Sequence, residues 1–391
     1  MSGLVLRLAA LVALASVACA TPRGAPGALV DIRPEERPAP DSDEAGLWME
    51  MDRVEESLRT SGHLVTDASV NTYVRDVVCN LATEYCGDIR LYIVQTPHFN
   101  ASMAPNGAMQ VWTGLLLRID NEAQLAYVLG HELGHYLRRH SVQRWRDART
   151  KTNVAAVFGV LAAAAGQGYA GSLAQLVALG SVLQFSRDNE READEIGLEL
   201  MVKAGYDPRE AAKIWSALDK ERRAGKDSQP LIFFATHPPT DERIETLTSL
   251  AAKAYTPDRD WADGREAYVR AVRPRRATLL RDDLRLRDFA RTEVLLERLL
   301  AAEPGSGQLY FFQGELYRLR NGAGDPARAL GAYERAAATG AAPPETYRAT
   351  GLVLMRQGDR ERARAAFGRY LTEAPEAEDK QMIQAYMEQL R

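Results

Sequence analysis

The stretch His131-Glu132-Leu133-Gly134-His135 has the pattern H-E-x-x-H. Residues four apart project from the same face of a helix, so the imidazoles of His131 and His135 can reach one metal ion. Glu132 lies beside that pair, where its carboxylate can take a proton from a water molecule. Two neutral imidazoles, a position left for water and a nearby base are the parts that zinc chemistry requires. The stretch therefore predicts a metal-binding helix.

The residues before this stretch also predict a helix. Asn121 suits an N-cap, and Gln124 stands three residues later as the second partner of a capping box. Apolar residues then follow at helical spacing, at Leu125, Val128 and Leu129. The alternative is a pair of structural histidines on an amphipathic helix, and a third ligand downstream would decide against it.

A second predicted helix carries two acidic residues one turn apart, Glu190 and Asp194. Glu190 can provide an oxygen ligand that completes a His2Glu site with an open position. Asp194 can accept a hydrogen bond from the far ring nitrogen of a ligand histidine and so select its tautomer. The alternative is a solvated acidic face, because Glu192 and Glu195 stand in the same stretch. Spacing alone does not decide between the two.

Together the two motifs resemble the M48 family of zinc metallopeptidases, which pairs an H-E-x-x-H helix with a downstream E-x-x-x-D helix. The resemblance covers roughly residues 45–255 and extends to Asn100-Ala101, Thr113-Gly114-Leu115-Leu116 and Arg139-His140. It implies one Zn²⁺ per chain, bound by His131, His135 and Glu190, with Glu132 as the catalytic base and Asp194 behind a ligand histidine.

The segment His237-Pro238-Pro239-Thr240-Asp241-Glu242-Arg243 belongs to the same resemblance. Thr240 suits an N-cap, and the acidic residues after it suit the first turn of a helix. In the branch of the family that the chain most resembles, the equivalent histidine can approach the zinc from a plug loop. His237 is therefore a candidate regulatory metal ligand, and Arg243 is a candidate catalytic residue that stabilises the oxyanion or places the water. The alternative is a capping loop with a structural histidine and a surface arginine.

The other histidines and the cysteines receive no catalytic role. We expect His63, His98 and His140 to be structural or at the surface, because none has ligand spacing. Cys79 and Cys86 would be too far apart to bridge on one continuous helix, so we expect two unpaired, buried thiols.

Length and composition predict two to three domains. The chain has 391 residues, 46% of them hydrophobic, and a net charge of −4, which gives no indication of a nucleic-acid partner. Residues 1–20 resemble a bacterial signal peptide and predict export to the periplasm. Cleavage before Thr21 and a lipobox with lipidation at Cys19 both remain open, and a lipid anchor is the only membrane attachment expected.

The remaining segments complete the predicted layout. Residues 21–45 are expected to form a flexible tether, 46–255 the protease domain and 256–278 a connector. Residues 89–95 and 109–112 predict strands, and we expect the substrate to lie beside an edge strand formed by the second of them. Residues 153–183 are apolar but interrupted, which favours two buried or lid-forming helices over a membrane hairpin.

Residues 279–391 contain an internal repeat. The run Gly324-Asp325-Pro326-Ala327-Arg328-Ala329 recurs 34 residues later as Gly358-Asp359-Arg360-Glu361-Arg362-Ala363. This resembles the tetratricopeptide repeat, whose stacked units form a concave binding surface. An unrelated helical bundle is the alternative. The repeats would bind a protein partner, with the outer-membrane barrel assembly machinery as one candidate.

These features predict a mainly α (α+β) protein in which a zincin-like protease domain with a small sheet precedes an α-solenoid. The expected function is zinc-dependent endopeptidase activity in protein quality control of the cell envelope, on unfolded or misassembled envelope proteins. The first alternative is a chaperone or assembly adaptor whose protease site is normally plugged. The second is a membrane-embedded protease, which would require residues 153–183 to span a bilayer.

Overall fold

The structure is a computed structural model that describes residues 30–151, 185–225, 232–237 and 241–391. The predicted signal peptide with Cys19, the apolar stretch 153–183 and the residues 238–240 that follow His237 lie outside the described residues. Within the described ranges, every helix is too short or too polar to cross a membrane.

The N-terminal part of the chain combines helices with one small sheet, as the sequence predicted. Its helices are α1 (Asp43–Arg59), α2 (Ala68–Leu81), α3 (Thr113–Arg118), α4 (Glu122–Leu137), α5 (His140–Lys151), α6 (Arg187–Lys203), α7 (Ala211–Ala224), α8 (Ile232–Thr236) and α9 (Asp241–Ala254). Its strands are β1 (Arg90–Val94), β2 (Ala101–Met103) and β3 (Ala108–Trp112).

The order of the strands corrects the expected position of the substrate. The sheet has the order β1-β3-β2, with β1 parallel and β2 antiparallel to β3. The predicted edge strand, β3, is therefore central, and all five of its residues are buried. Alternation of apolar residues cannot distinguish an edge strand from a central one, because both have one face on the core. The edge strand next to α4 is β2.

Small residues bring α4 and α6 into close contact. A Cβ atom added to Gly197 would lie 2.7 Å from the backbone nitrogen of His131, and one added to Gly134 would lie 3.0 Å from the Cα of Ala193. Larger side chains at these positions would push the helices apart. The glycines thus allow the first turn of α6 to reach the histidines of α4.

The structure describes residues 30–45 of the predicted flexible tether. The prediction is wrong for these residues, because they pack against the protease part. Ile32 is buried, and its backbone N–H donates to the carbonyl oxygen of Leu137 at the end of α4. Asp31 forms an ion pair with Arg138, and Glu44 forms one with Arg139. These residues pack on the protease part because isolated apolar residues in a polar segment can bury themselves without any periodic pattern.

The prediction of unpaired thiols is also wrong, because Cys79 and Cys86 form a disulfide with Cα atoms 4.9 Å apart. The expectation assumed one continuous helix. Instead α2 ends at Leu81, and a 3-10 turn at Thr83–Tyr85 folds the chain back.

The C-terminal part is entirely helical in the residues described. Its helices are α10 (Arg265–Val272), α11 (Arg276–Arg285), α12 (Phe289–Ala302), α13 (Gly307–Arg320), α14 (Asp325–Ala338), α15 (Glu345–Gln357), α16 (Arg360–Glu373) and α17 (Lys380–Gln389). Buried apolar residues form one cluster from Ile32 to Val353, so the first helix pairs share a core with the protease part.

The sequence repeat corresponds to two equivalent helix pairs, α13–α14 and α15–α16. In each pair a large aromatic ring lies directly against a glycine. A Cβ atom added to Gly314 would lie 2.2 Å from the Tyr333 ring, and one added to Gly351 would lie 2.5 Å from the Phe367 ring. The two rings are 34 residues apart in the sequence, as the repeat requires. The assignment to tetratricopeptide repeats stays a prediction.

Candidate active site

The H-E-x-x-H stretch lies on α4, as predicted, and this helix is buried along most of its length. The Asn121 side chain accepts a hydrogen bond from the backbone of Gln124, and the Gln124 side chain accepts one from the backbone N–H of Asp120. In the predicted capping box, the Gln124 side chain would accept from the backbone N–H of Asn121. It accepts instead from the preceding residue, Asp120. This cap starts the helix at the position that directs His131 and His135 inward.

The side chains of His131, His135 and Glu190 converge. The two Nε2 atoms lie 3.1 Å apart, and the Glu190 carboxylate lies 3.5 Å from Nε2 of His135 and 3.7 Å from Nε2 of His131. Glu190 stands in the first turn of α6, which Ser186 and Asn189 cap by reciprocal hydrogen bonds. All three groups are buried, so the acidic stretch is not a solvated face at Glu190.

Asp194 lies behind His131, where the sequence predicted it. Its Oδ1 atom is 3.0 Å from Nδ1 of His131 and accepts a hydrogen bond from the hydroxyl of Tyr127. Arg243 donates to both carboxylate oxygens of Asp194, and Trp215 donates to the Tyr127 hydroxyl. Tyr127 and Trp215 had no motif that would have identified them, since buried aromatic residues are common in any core.

His140 is a buried residue and not a surface one, and it contacts a predicted metal ligand. Its Nδ1 atom lies 3.0 Å from Nδ1 of His135. Its Nε2 atom lies 3.1 Å from Glu192. Spacing along a helix does not apply to His140, because α4 ends at Leu137 and Arg139 adopts a left-handed conformation with φ 55°. The chain thereby turns back and places His140 against His135.

These contacts select the tautomers of both histidines. If Nδ1–H of His135 donates to His140 and Nε2–H of His140 donates to Glu192, then Nε2 of His135 carries a lone pair. Nδ1 of His131 lies 3.0 Å from the Asp194 carboxylate, which favours the proton on Nδ1 and a lone pair on Nε2 of His131. Two lone pairs 3.1 Å apart repel each other unless a cation lies between them. Zinc–nitrogen bonds of about 2.0–2.1 Å are compatible with that spacing.

His237 joins the same group. Its Nδ1 atom lies 3.0 Å from Glu190 and 3.2 Å from Nε2 of His131, and its ring stacks on Phe233 with 4.4 Å between centroids. The candidate ligand atoms of His131, His135, Glu190 and His237 all lie within 4.8 Å of one another. A donor set of three imidazoles and one carboxylate fits a zinc ion.

Arg243 contacts two carboxylates rather than the space in front of the histidines. Its guanidinium lies 2.6 Å from Glu190 and 2.8 Å from Asp194, and 10% of its side chain is exposed. It is therefore not the surface arginine of the alternative interpretation. In this arrangement it neutralises a metal-site carboxylate and orients Asp194.

Electrostatics separate the roles of the acidic groups. Burial raises the pKa of Glu132, as suits a proton acceptor. Burial also opposes ionisation of Glu190, but the charge of His237 and a hydrogen bond from it outweigh burial, so the pKa of Glu190 lies well below its usual range. Arg243 and His131 likewise overcome burial and lower the pKa of Asp194 to about 2. The stabilisation from the Asp194 carboxylate is thus present at neutral pH and lost only as the pH falls towards 2.

Burial lowers the pKa of His135 well below its usual range, which favours the neutral imidazole that a metal requires. Phe185 lies flat on this ring, with 3.8 Å between the centroids. His63 and His98 lie elsewhere, and burial lowers the pKa of His98.

Replacing His140 with alanine should lower the zinc affinity by about 10–100-fold, since partners behind a metal ligand typically have effects of that size. Competition with a chromophoric chelator measures the affinity directly. His140→Asn should recover part of it, because an amide oxygen can still accept from Nδ1 of His135. Equal affinity in the wild type and both variants would show that His140 only fills space.

The paired helices, the buried ligand group and the small sheet define a metallopeptidase domain. Residues 65–251 match the sequence profile of peptidase family M48, so this part of the chain contains a peptidase M48 domain. The family resemblance predicted from the two helices is thus confirmed.

Individual relatives agree with this assignment. The mitochondrial metalloendopeptidase OMA1 of Schizosaccharomyces pombe is 35% identical over 158 residues, which are 40% of this chain and 45% of that protein. The beta-barrel assembly-enhancing protease of Escherichia coli K12 is 27% identical over 289 residues, which are 64% of this chain and 58% of that protein. The order of an export signal, a protease domain and helical repeats predicts similarity to the second of these proteins, and the alignment confirms that similarity. The chain spans about half the length of the relatives that it matches.

Proposed function

We propose that the protein is a zinc-dependent endopeptidase, with one Zn²⁺ per chain on His131, His135 and Glu190. The observation that carries this proposal is the convergence of two lone-pair nitrogens and a carboxylate beside Glu132. When bound, zinc supplies Lewis acidity that polarises a carbonyl and lowers the pKa of a water molecule.

Glu132 is the general base of this proposal. Its Oε1 atom is buried without a hydrogen-bond partner among the described residues, and Nε2 of His237 lies 3.5 Å from it. The carboxylate accepts a proton from water as the water oxygen bonds to the peptide carbonyl carbon. It then delivers that proton to the amide nitrogen as the carbon–nitrogen bond breaks.

The substrate would lie extended along β2. Trp112 N–H donates to Asn100 and Ala104 N–H donates to Ala108, so the backbone groups of Ala101 and Met103 point away from β3. Helix α4, which carries Glu132, packs against β2 and so places this edge beside the base. A peptide added as a further strand would thus pass the base.

The cellular role rests on the predicted signal peptide, on the helical repeats and on the name of the beta-barrel assembly-enhancing protease. These support a periplasmic enzyme that removes unfolded or misassembled envelope proteins. The repeats would recruit a substrate or partner, including the barrel assembly machinery. Lipidation of Cys19 would add a membrane anchor.

The position of His237 favours a second candidate function, a chaperone or assembly adaptor whose protease is shut. His237 contacts Glu190, His131 and Glu132 at once and so fills the space where a substrate carbonyl would enter. The two functions differ in how far the wild-type protein cleaves an unfolded substrate.

Metal analysis and a cleavage assay on the wild type and His237→Ala test both. We expect about one zinc per chain in each protein. The variant should cleave β-casein faster, by about tenfold if His237 leaves the site free in about a tenth of wild-type molecules. A chelator should abolish cleavage and added zinc should restore it. Cleavage that persists in the chelator would exclude the zinc peptidase, whereas equal rates would make His237 a structural residue. His237→Ala combined with Glu132→Gln is the inactive control.

A further inference from the structure

A groove with a volume of about 560 Å³ lies on the C-terminal helices. Its lining residues come from α11, α13 and α15, which are the first helices of three successive pairs, and from the loop after α11. In a stack of helix pairs, the first helices of the units line one continuous face. The groove therefore belongs to the inner face of the stack and is separate from the metal site.

The groove is rich in arginine. Four guanidinium groups line it, those of Arg281, Arg285, Arg287 and Arg348. Arg285 and Arg348 form ion pairs with Asp282 and Asp379, which lie outside the lining. Arg281 and Arg287 are exposed, and neither forms an ion pair with an acidic residue in the part of the chain that the structure describes. Two cationic groups are thus available to a ligand.

The rest of the lining determines what kind of anion fits. Leu319, which is partly exposed, gives the lining an apolar surface beside the almost fully buried Phe311, Phe312 and Leu284. Glu315 and Glu345 add two negative charges, although Glu315 is neutralised by Arg318 at 2.6 Å. The Glu345 carboxylate would repel a continuous polyphosphate backbone. A peptide can place its acidic side chains against the arginines and its apolar ones against the apolar surface.

The segments of residues 1–391 that lie outside the described ranges do not match the charge of the groove. Residues 1–29 and 152–184, which the structure does not describe, contain no aspartate or glutamate. The shorter ranges 226–231 and 238–240 contain only Asp227. These segments are therefore a poor source of acidic side chains for the groove, which favours an acidic peptide from a partner protein.

We propose that this groove binds an acidic peptide segment of a partner protein, with carboxylates on Arg281 and Arg287 and an apolar side chain against Leu319. The proposal deepens the proposed function, since it rests on the repeats recruiting a protein. Guanidinium groups bind carboxylates through paired, charge-assisted hydrogen bonds, so both arginines contribute to affinity and specificity.

Fluorescence anisotropy with a labelled eight-residue peptide that alternates glutamate with leucine or phenylalanine tests the proposal on the full chain. We expect saturable binding that weakens as sodium chloride is raised, and about tenfold weaker binding in Arg281→Glu and in Arg287→Glu. Arg364→Glu is the matched control, because Arg364 is exposed on α16 and does not line the groove. Charge reversal could impair folding, so Arg281→Ala and Arg287→Ala are measured as well. Circular dichroism checks that these variants are folded.

Three results would overturn the proposal. The first is equal binding of the same peptide with lysine in place of glutamate. The second is equal loss in Arg364→Glu, and the third is tighter binding of oligo-dT or anionic vesicles than of the acidic peptide. Cleavage of a fluorogenic substrate without acidic residues distinguishes a failure of the peptide-binding proposal from a failure of the protease proposal. Glu132→Gln should bind the acidic peptide normally without cleaving that substrate, and Arg281→Glu should cleave it normally.

Discussion

Glutamine at position 132 should lower peptide cleavage by about a thousandfold while the protein still binds about one zinc per chain, since general bases contribute about 10²–10⁴-fold. The amide has nearly the same size as the carboxylate, so α4 and the positions of His131 and His135 should not change. It cannot accept a proton, however, and the attacking water then has no base. Glu132 contacts the reacting groups but is not one of the predicted ligands, which is why activity and metal content should separate.

The measurement is β-casein cleavage together with zinc content and circular dichroism of the same preparation. Glu195→Gln is the matched control, because this carboxylate stands one residue from Asp194 on α6 but is exposed. It should retain wild-type activity. Cleavage by zinc-loaded Glu132→Gln at more than about a tenth of the wild-type rate would contradict the proposed role.

Replacing Arg118 with methionine should destabilise the protein by about 3–5 kcal/mol, the range found when one partner of a buried ion pair is removed. Arg118 is buried on α3 and lies 2.7 Å from Glu221 and 2.6 Å from Asp283. These carboxylates come from α7 and α11, and 1% of each side chain is exposed. Without the guanidinium they would repel each other in a place that water cannot reach.

Urea unfolding of both proteins measures this effect. Arg223→Met is the control, because its ion pairs with Asp219 and Asp241 are at the surface, and we expect it to lose less than about 1 kcal/mol. If Arg118→Met does not fold, the triple variant with Glu221→Gln and Asp283→Asn should recover stability. A loss below about 1 kcal/mol in Arg118→Met would show that the buried charges are not essential for joining the helices.

The local parts of the site could be predicted because they depend on spacing within a helix. His131 and His135 are one turn apart whatever surrounds them, and the same is true of Glu190 and Asp194. The pairing of these two helices could not be obtained from spacing, and it came from the family resemblance. The structure adds the physical reason, which is the contact between small residues such as Gly134 and Ala193.

The residues that the sequence did not identify share one property: their neighbours are distant in the chain or lie beyond a break in a helix. His140 meets His135 because α4 ends early, and Cys86 meets Cys79 because α2 does. Arg243 was expected to face the substrate, but its guanidinium forms ion pairs with the buried carboxylates of Glu190 and Asp194. Such contacts depend on how helices and strands pack against one another, and the periodicity of a sequence carries no information about that packing.

The sequence by itself determined the metal-binding helix, the acidic helix and the helical repeat, because these follow from periods of four residues and of 34 residues. Only the tertiary structure decided that β2 is the edge strand, that His237 lies against Glu190 and that arginines line the inner groove. The physical reason is that burial and electrostatics depend on distances between elements, whereas helix formation depends on neighbours along the chain.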